Sequence, residues 1–119
     1  MTQRVIAIVD DMFFASKIRA TAEALGVAIS FPRSQELTLE KLREQKPRLV
    51  VCDLQNQKLD PIEFGALLKS DAELASVPLL GFFSHVEVEL QRRAVEAGFD
   101  KVVPRSLFAR DLATFLQGS

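Results

Sequence analysis

The sequence predicts a single α/β domain in which a five-stranded parallel β-sheet lies between two layers of helices. Two observations predict it: short apolar runs alternate with segments of helical periodicity five times along the chain, and the runs are continuously apolar. Continuous apolar strands are typical of a sheet covered on both faces, as in a doubly wound three-layer sandwich. The predicted strands span residues 4–9, 27–31, 48–52, 78–83 and 101–103.

A helix is expected after each strand. The first spans residues 14–25, where apolar residues recur at helical spacing and Gly26 offers a left-handed stop. The second spans residues 39–45. The third has the best-marked start in the chain, with Asp60 as N-cap and Pro61 at the first helical position.

The last two helices are predicted from capping signals. Ser84 and Glu87 have the spacing of a capping box and open the fourth helix, which Gly98 closes. Ser106 is the expected cap of the final helix, whose apolar face consists of Phe108, Leu112, Phe115 and Leu116. The chain therefore consists of five strand–helix units, which right-handed crossovers should join.

The bulk composition restricts the classes of function. With 119 residues and no long linker, one domain spanning residues 1–119 is expected, without an output domain. The net charge of -1 provides no basic field that could hold nucleic acid or an anionic membrane. No apolar stretch approaches the roughly 20 residues of a membrane span, and the single cysteine, Cys52, has no disulfide partner. These features favour a cytoplasmic protein.

Three aspartates follow predicted strands at the edge where parallel doubly wound sheets bind ligands. Asp10 and Asp11 come after the first strand, and Asp53 comes after the third. Clustered carboxylates repel one another, and Mg2+ would relieve that repulsion because it accepts carboxylate ligands. Asp53 could then act as a nucleophile and form an acyl phosphate. In the alternative interpretation, Asp11 caps the first helix and Asp53 makes a turn.

Five motifs in a fixed order carry a family resemblance that covers nearly the whole chain. With VIAIVDD (5–11), PRLVVCDL (47–54), LDPIEF (59–64), VPLL (77–80) and AGFD (97–100), it resembles the receiver domains of two-component response regulators, the CheY-like proteins. The resemblance implies the flavodoxin-like strand order 2-1-3-4-5.

The same resemblance implies a chemistry and a set of partners. Asp53 would accept a phosphoryl group from a histidine kinase or phosphotransfer protein, with Mg2+ held by Asp10, Asp11 and Asp53. The module would then signal through a downstream protein partner, as a monomer or a weak homodimer.

The sequence departs from the family at the positions that respond to phosphorylation. Phe83 stands where a Thr or Ser hydroxyl usually ends the fourth strand, and Ser84 follows one place later. Arg105 replaces the usual Lys, which keeps the charge but changes its geometry. Val102 replaces the aromatic switch residue, and Gln57 replaces a Pro. The chain is therefore identified as an atypical receiver or pseudo-receiver, in which Arg105 and Ser84 are the candidate phosphoryl contacts.

Three classes of function follow from these observations. The first is a phosphorylatable signalling module. The second is a phosphorylation-independent interaction domain on the same fold, which accounts for Phe83, Val102 and Gln57. The third, an enzyme or nucleotide binder, is disfavoured because DDMF at residues 10–13 stands where a Gly-rich phosphate loop would follow the first strand. The chain is therefore not expected to be an enzyme.

Two aromatic residues and the single histidine have separate expectations. Phe13 and Phe83 should lie near the acidic edge, where one or both form an apolar lid or docking patch. His85 is interpreted as a helix-start residue rather than a ligand, because it lacks an orienting partner.

Overall fold

The computed structural model, which describes residues 4–32, 34–84 and 86–117, alternates strands and helices along the chain. The strands are β1 (Arg4–Ile8), β2 (Ala28–Ser30), β3 (Leu49–Asp53), β4 (Leu79–Phe83) and β5 (Lys101–Pro104). The helices are α1 (Met12–Leu25), α2 (Gln35–Glu44), α3 (Pro61–Ser70), α4 (Val88–Ala97), α5 (Arg105–Arg110) and α6 (Leu112–Gln117). The interpretation of His85 falls outside the described residues.

The five strands form one parallel sheet in the order β2-β1-β3-β4-β5. This order confirms the predicted doubly wound architecture. Ile8 at the end of β1 pairs with Cys52 of β3, and Asp53 pairs with Phe82 of β4. The chain that follows β1 therefore leaves the sheet beside Asp53.

Each face of the sheet is covered by its own apolar cluster. One cluster joins the sheet to α1, α5 and α6, and the other joins it to α2, α3 and α4. Because both faces are covered, β3 and β4 are buried along their whole length. The predicted apolar face of the last helical region is confirmed, with Phe108, Leu112 and Leu116 buried and Phe115 packed against them.

Two of the predicted helix boundary signals are confirmed. The Asp60 carboxylate accepts hydrogen bonds from the amides of Ile62 and Glu63 and caps α3. Gly26 ends α1 in the left-handed conformation, at φ 71°, which costs glycine no steric penalty.

The capping box predicted at Ser84 is wrong. α4 begins only at Val88, with Glu87 as its N-cap residue and no side-chain capping bond. The Ser84 amide and hydroxyl instead both donate to the Gln55 side-chain oxygen, each at 2.8 Å. Ser84 is therefore held by Gln55 in the loop after β3 and does not cap the helix.

The predicted cap at Ser106 is also wrong. The helix begins one residue earlier, at Arg105, directly after Pro104. The single final helix that the apolar face predicted is two short helices, because Asp111 departs from helical torsion angles at φ -105° and ψ 24°. No helix in the described ranges is both long enough and apolar enough to span a membrane.

Candidate functional site

Asp53 ends the central strand β3 and is the one acidic residue among the described buried side chains. It is 8% exposed, and one carboxylate oxygen accepts a 2.9 Å hydrogen bond from the Gln55 amide. Burial raises the pKa of Asp53 above its usual value, and the charge of Asp10 adds to this effect. The hydrogen bond from Gln55 and the charge of Arg105 oppose it.

Asp11 lies beside Asp53, but its carboxylate is bonded to the start of a helix and to an arginine. Its Oδ1 caps α1 by accepting hydrogen bonds from the amides of Phe13, at 3.0 Å, and Phe14, at 3.2 Å. Its Oδ2 accepts a 3.0 Å hydrogen bond from Nη2 of Arg105. These bonds, with the amide of Phe14 first, lower the pKa of Asp11. The capping role considered from the sequence is therefore present, together with an ion pair.

Arg105 approaches the site from the start of α5. Its guanidinium carbon lies 4.1 Å from the centre of the Phe14 ring, while Nη2 binds Asp11. Stacking on a ring face and hydrogen bonding in the guanidinium plane use different parts of the same group, so both contacts form together. The hydrogen bond of Arg105 at this site goes to Asp11, whereas Asp53 experiences only its charge.

Asp10 lines a cavity that neither Asp11 nor Asp53 lines. It is half-buried and lines this cavity, of about 350 Å³, together with residues from α1, the segment after β2 and the loop after β3, including Met12, Arg19, Phe31 and Lys58. Arg105 lines a different cavity, of about 790 Å³, with Phe83 and Ser84. The three aspartates of the predicted site are therefore neighbours with different surroundings.

These carboxylates, as they lie, do not fit the predicted Mg2+ site. Within the described residues no group of three or more Asp, Glu, His or Cys side chains is arranged to hold a metal ion. Oδ1 of Asp11 already accepts two amides and Oδ2 accepts Arg105, so a metal ion at Asp11 would have to share Oδ2 with a guanidinium. Mg2+ binding stays a prediction of the sequence.

Gln55 connects the loop after β3 to the loop after β4, a contact that no local sequence motif predicts. Its amide nitrogen binds Asp53, while its side-chain oxygen accepts from both the amide and the hydroxyl of Ser84. The Ser84 hydroxyl therefore donates to Gln55 rather than to Asp53. Phe83, which stands at the family's hydroxyl position, is 7% exposed.

The two residues of the predicted aromatic lid, Phe13 and Phe83, differ in their exposure. Phe13 is 91% exposed next to the acidic edge, and Met12 beside it is also exposed. Phe83 is buried in the wall of the larger cavity. Only Phe13 of the two is therefore available as part of a lid or docking patch.

The chain is similar in sequence to bacterial regulatory proteins, one of them a response regulator. No family model matches the chain. It is 28% identical over 97 residues to the gliding motility regulatory protein of Myxococcus xanthus, covering 82% of this chain but only 12% of that protein's length. It is 25% identical over 120 aligned positions to the polar-differentiation response regulator DivK of Brucella ovis, covering 98% of both chains.

Solved structures agree with these relatives. The CheY-like receiver domain protein of Methanospirillum hungatei superimposes with a TM-score of 0.83 at 14% identity, over 99% of this chain and 93% of that one. At this identity the likeness shows the fold. The chain therefore has the fold of CheY-like receiver domains, as its sequence motifs predicted, and its sequence is similar to that of DivK.

Proposed function

We propose that the chain is a receiver module of two-component signalling whose phosphoacceptor is Asp53. The observation that carries the proposal is the position of Asp53 at the carboxyl end of the central strand, beside Asp10, Asp11 and the cation of Arg105. In open α/β sheets this edge is where ligands bind. The likeness to DivK and to receiver structures supports the same assignment.

The proposed chemistry uses the Asp53 carboxylate as the nucleophile. An ionised oxygen attacks phosphorus, the new oxygen–phosphorus bond forms, and the bond from phosphorus to the donor breaks. With phosphohistidine as donor, the released imidazole nitrogen takes up a proton. Because burial raises the pKa of Asp53, the ionised and reactive fraction grows as the pH rises. The charge of Arg105 favours the incoming phosphoryl oxygens, and no step here depends on a metal ion.

The proposed partners are proteins. A histidine kinase or phosphotransfer protein would supply the phosphoryl group, and a downstream protein would read the result, with the module itself as monomer or weak homodimer in the cytoplasm. Receiver domains are generally signalling modules rather than enzymes. The exposed pair Met12 and Phe13 beside Asp53 offers apolar surface for such a contact.

A second candidate is a phosphorylation-independent interaction domain. It is favoured by two observations at the groups that would meet a phosphoryl oxygen. Arg105 is bound to Asp11, and the Ser84 hydroxyl is bound to Gln55. The groups that would contact a phosphoryl oxygen thus already bind other residues of the chain. Partner binding would then not depend on phosphorylation of Asp53.

Phosphorylation with a small donor separates the two candidates. The protein is incubated with acetyl phosphate, with and without Mg2+, and its intact mass is measured. A gain of one phosphoryl group that is lost in Asp53→Asn, and retained in the control Asp60→Asn, supports the first candidate. No gain in the wild type, including with a phosphorylated histidine phosphotransfer protein as donor, assigns the chain to the second.

A further inference from the structure

We infer that Arg105 is the resident cation of the acidic edge, so that its guanidinium occupies at Asp11 the place a divalent ion would take. The inference deepens the proposed function, on which it rests for its meaning in signalling. It concerns which cation this site selects. Three features of the structure lead to it.

The first feature is the set of hydrogen bonds that the Asp11 carboxylate already accepts. Oδ1 accepts two backbone amides at the start of α1, and Oδ2 accepts Nη2 of Arg105 at 3.0 Å. A metal ion at Asp11 would therefore have to share Oδ2 with the guanidinium or displace it. Displacement would break a charge-assisted hydrogen bond, which is stronger than a bond between neutral groups.

The second feature is the rigid support under Arg105. Its guanidinium stacks on Phe14, and the Phe14 ring makes edge contacts with Phe82 at 5.2 Å and with Phe108 at 5.9 Å. Phe82 and Phe108 are themselves buried and stacked at 5.0 Å. The position of the arginine is therefore fixed from the core, unlike that of Arg110 on the same helix, whose side chain is 68% exposed.

The third feature is the charge balance of the edge. Arg105 pairs with Asp11 at 3.0 Å, so one of the three carboxylates already has a cation at contact distance. Asp53 is buried and accepts a hydrogen bond from the Gln55 amide. A divalent ion entering this edge would therefore meet the positive charge of Arg105 as well as the carboxylates.

Cation binding without any phosphoryl donor tests the inference. Mn2+ binding is measured by calorimetry, and the thermal midpoint is followed by circular dichroism in Mg2+ and in NaCl of matched ionic strength. We expect the wild type and Arg110→Gln to respond to Mg2+ no more than to NaCl. We expect Arg105→Gln to bind Mn2+ roughly tenfold or more tightly than the wild type, because a positive charge at contact distance is removed.

Two further variants keep the result interpretable. The gain in Arg105→Gln should disappear in the double variant with Asp11→Asn, which retains a capping side chain but removes the charge. Arg105→Lys keeps the positive charge but lacks the guanidinium that stacks on Phe14 and bonds Asp11, so its Mn2+ affinity should fall between those of the wild type and Arg105→Gln. Equal Mn2+ affinity in the wild type and Arg105→Gln would overturn the inference. Since no phosphoryl donor is present, a failure of Asp53 to be phosphorylated would leave this measurement unaffected.

Discussion

The ends of β1 and β3 present the same residue type in opposite roles. Asp11 is partly exposed, caps a helix and pairs with Arg105, and its pKa is lowered. Asp53 is buried with an amide bond from Gln55, and its pKa is raised. The difference shows that the local environment, rather than the identity of the residue, shifts the pKa values of two aspartates at neighbouring strand ends in opposite directions.

The largest expected effect is a loss of stability when the aromatic ring that contacts Arg105 is removed. Phe14→Ala deletes a ring that is 5% exposed and packs against Phe82, Phe108 and Arg105. We expect the free energy of unfolding in urea to fall by about 3–5 kcal/mol, because the change leaves a cavity in the core. The neighbouring Phe13→Ala should change it by less than about 0.5 kcal/mol. Similar losses in both variants would show that Phe14 does not anchor the end of the sheet at which Asp11 lies.

A smaller effect is expected from Asp11 itself. Asp11→Ala removes both the helix cap and the partner of Arg105, and should lower the free energy of unfolding by about 1–2 kcal/mol. Asp60→Ala is the matched control, because Asp60 makes the same two capping bonds on α3. The excess loss at Asp11 over Asp60 measures the ion pair, and no excess would mean that Arg105 contributes nothing to stability.

The contribution of Asp11 also has a definite pH dependence. Because the folded pKa is lowered, its stabilisation is fully present above the unfolded pKa and is lost as the pH falls through the folded value. The difference in stability between the wild type and Asp11→Ala should therefore shrink in acid. Urea midpoints measured from neutral pH downwards check this, and a constant difference would contradict the assigned pKa direction.

The smallest effect is expected at Asp53, and its sign is opposite. The folded pKa is raised, so the stability that its neutral form contributes is present below the unfolded pKa and is lost as the pH rises through the folded value. Asp53→Asn should therefore be more stable than the wild type at neutral pH. The gap should close on going from about pH 8 to about pH 4, where the wild-type carboxyl becomes protonated. A variant that is less stable than the wild type at neutral pH would refute this assignment.

The parallel sheet and the position of the acidic residues could be predicted from the sequence pattern, and the strand order from the family resemblance. Continuous apolar strands separated by helical segments determine a parallel sheet, and parallel strands bring Asp10, Asp11 and Asp53 to one edge. Asp60 and Gly26 also marked helix boundaries correctly, because their signals act within one turn of helix.

The bonding of the site could not be predicted, because it depends on contacts between distant segments. Arg105 and Asp11 are 94 residues apart, and Ser84 and Gln55 are 29 apart. A local motif predicted Ser84 as a helix cap, but Ser84 is bonded to Gln55 in the loop after β3. Nothing in the local sequence reports that contact, which is why the capping prediction failed at Ser84 and succeeded at Asp60.

Cys52, the residue before Asp53, gives the chain a built-in reporter. Burial raises the pKa of its thiol, with the charge of Asp53 adding to the effect, so the folded protein shields an unreactive sulfur. The chain contains one cysteine. A maleimide added to the native protein can therefore react only when β3 separates from its neighbours. The rate of labelling then reports how often the strand that carries the proposed phosphoacceptor opens.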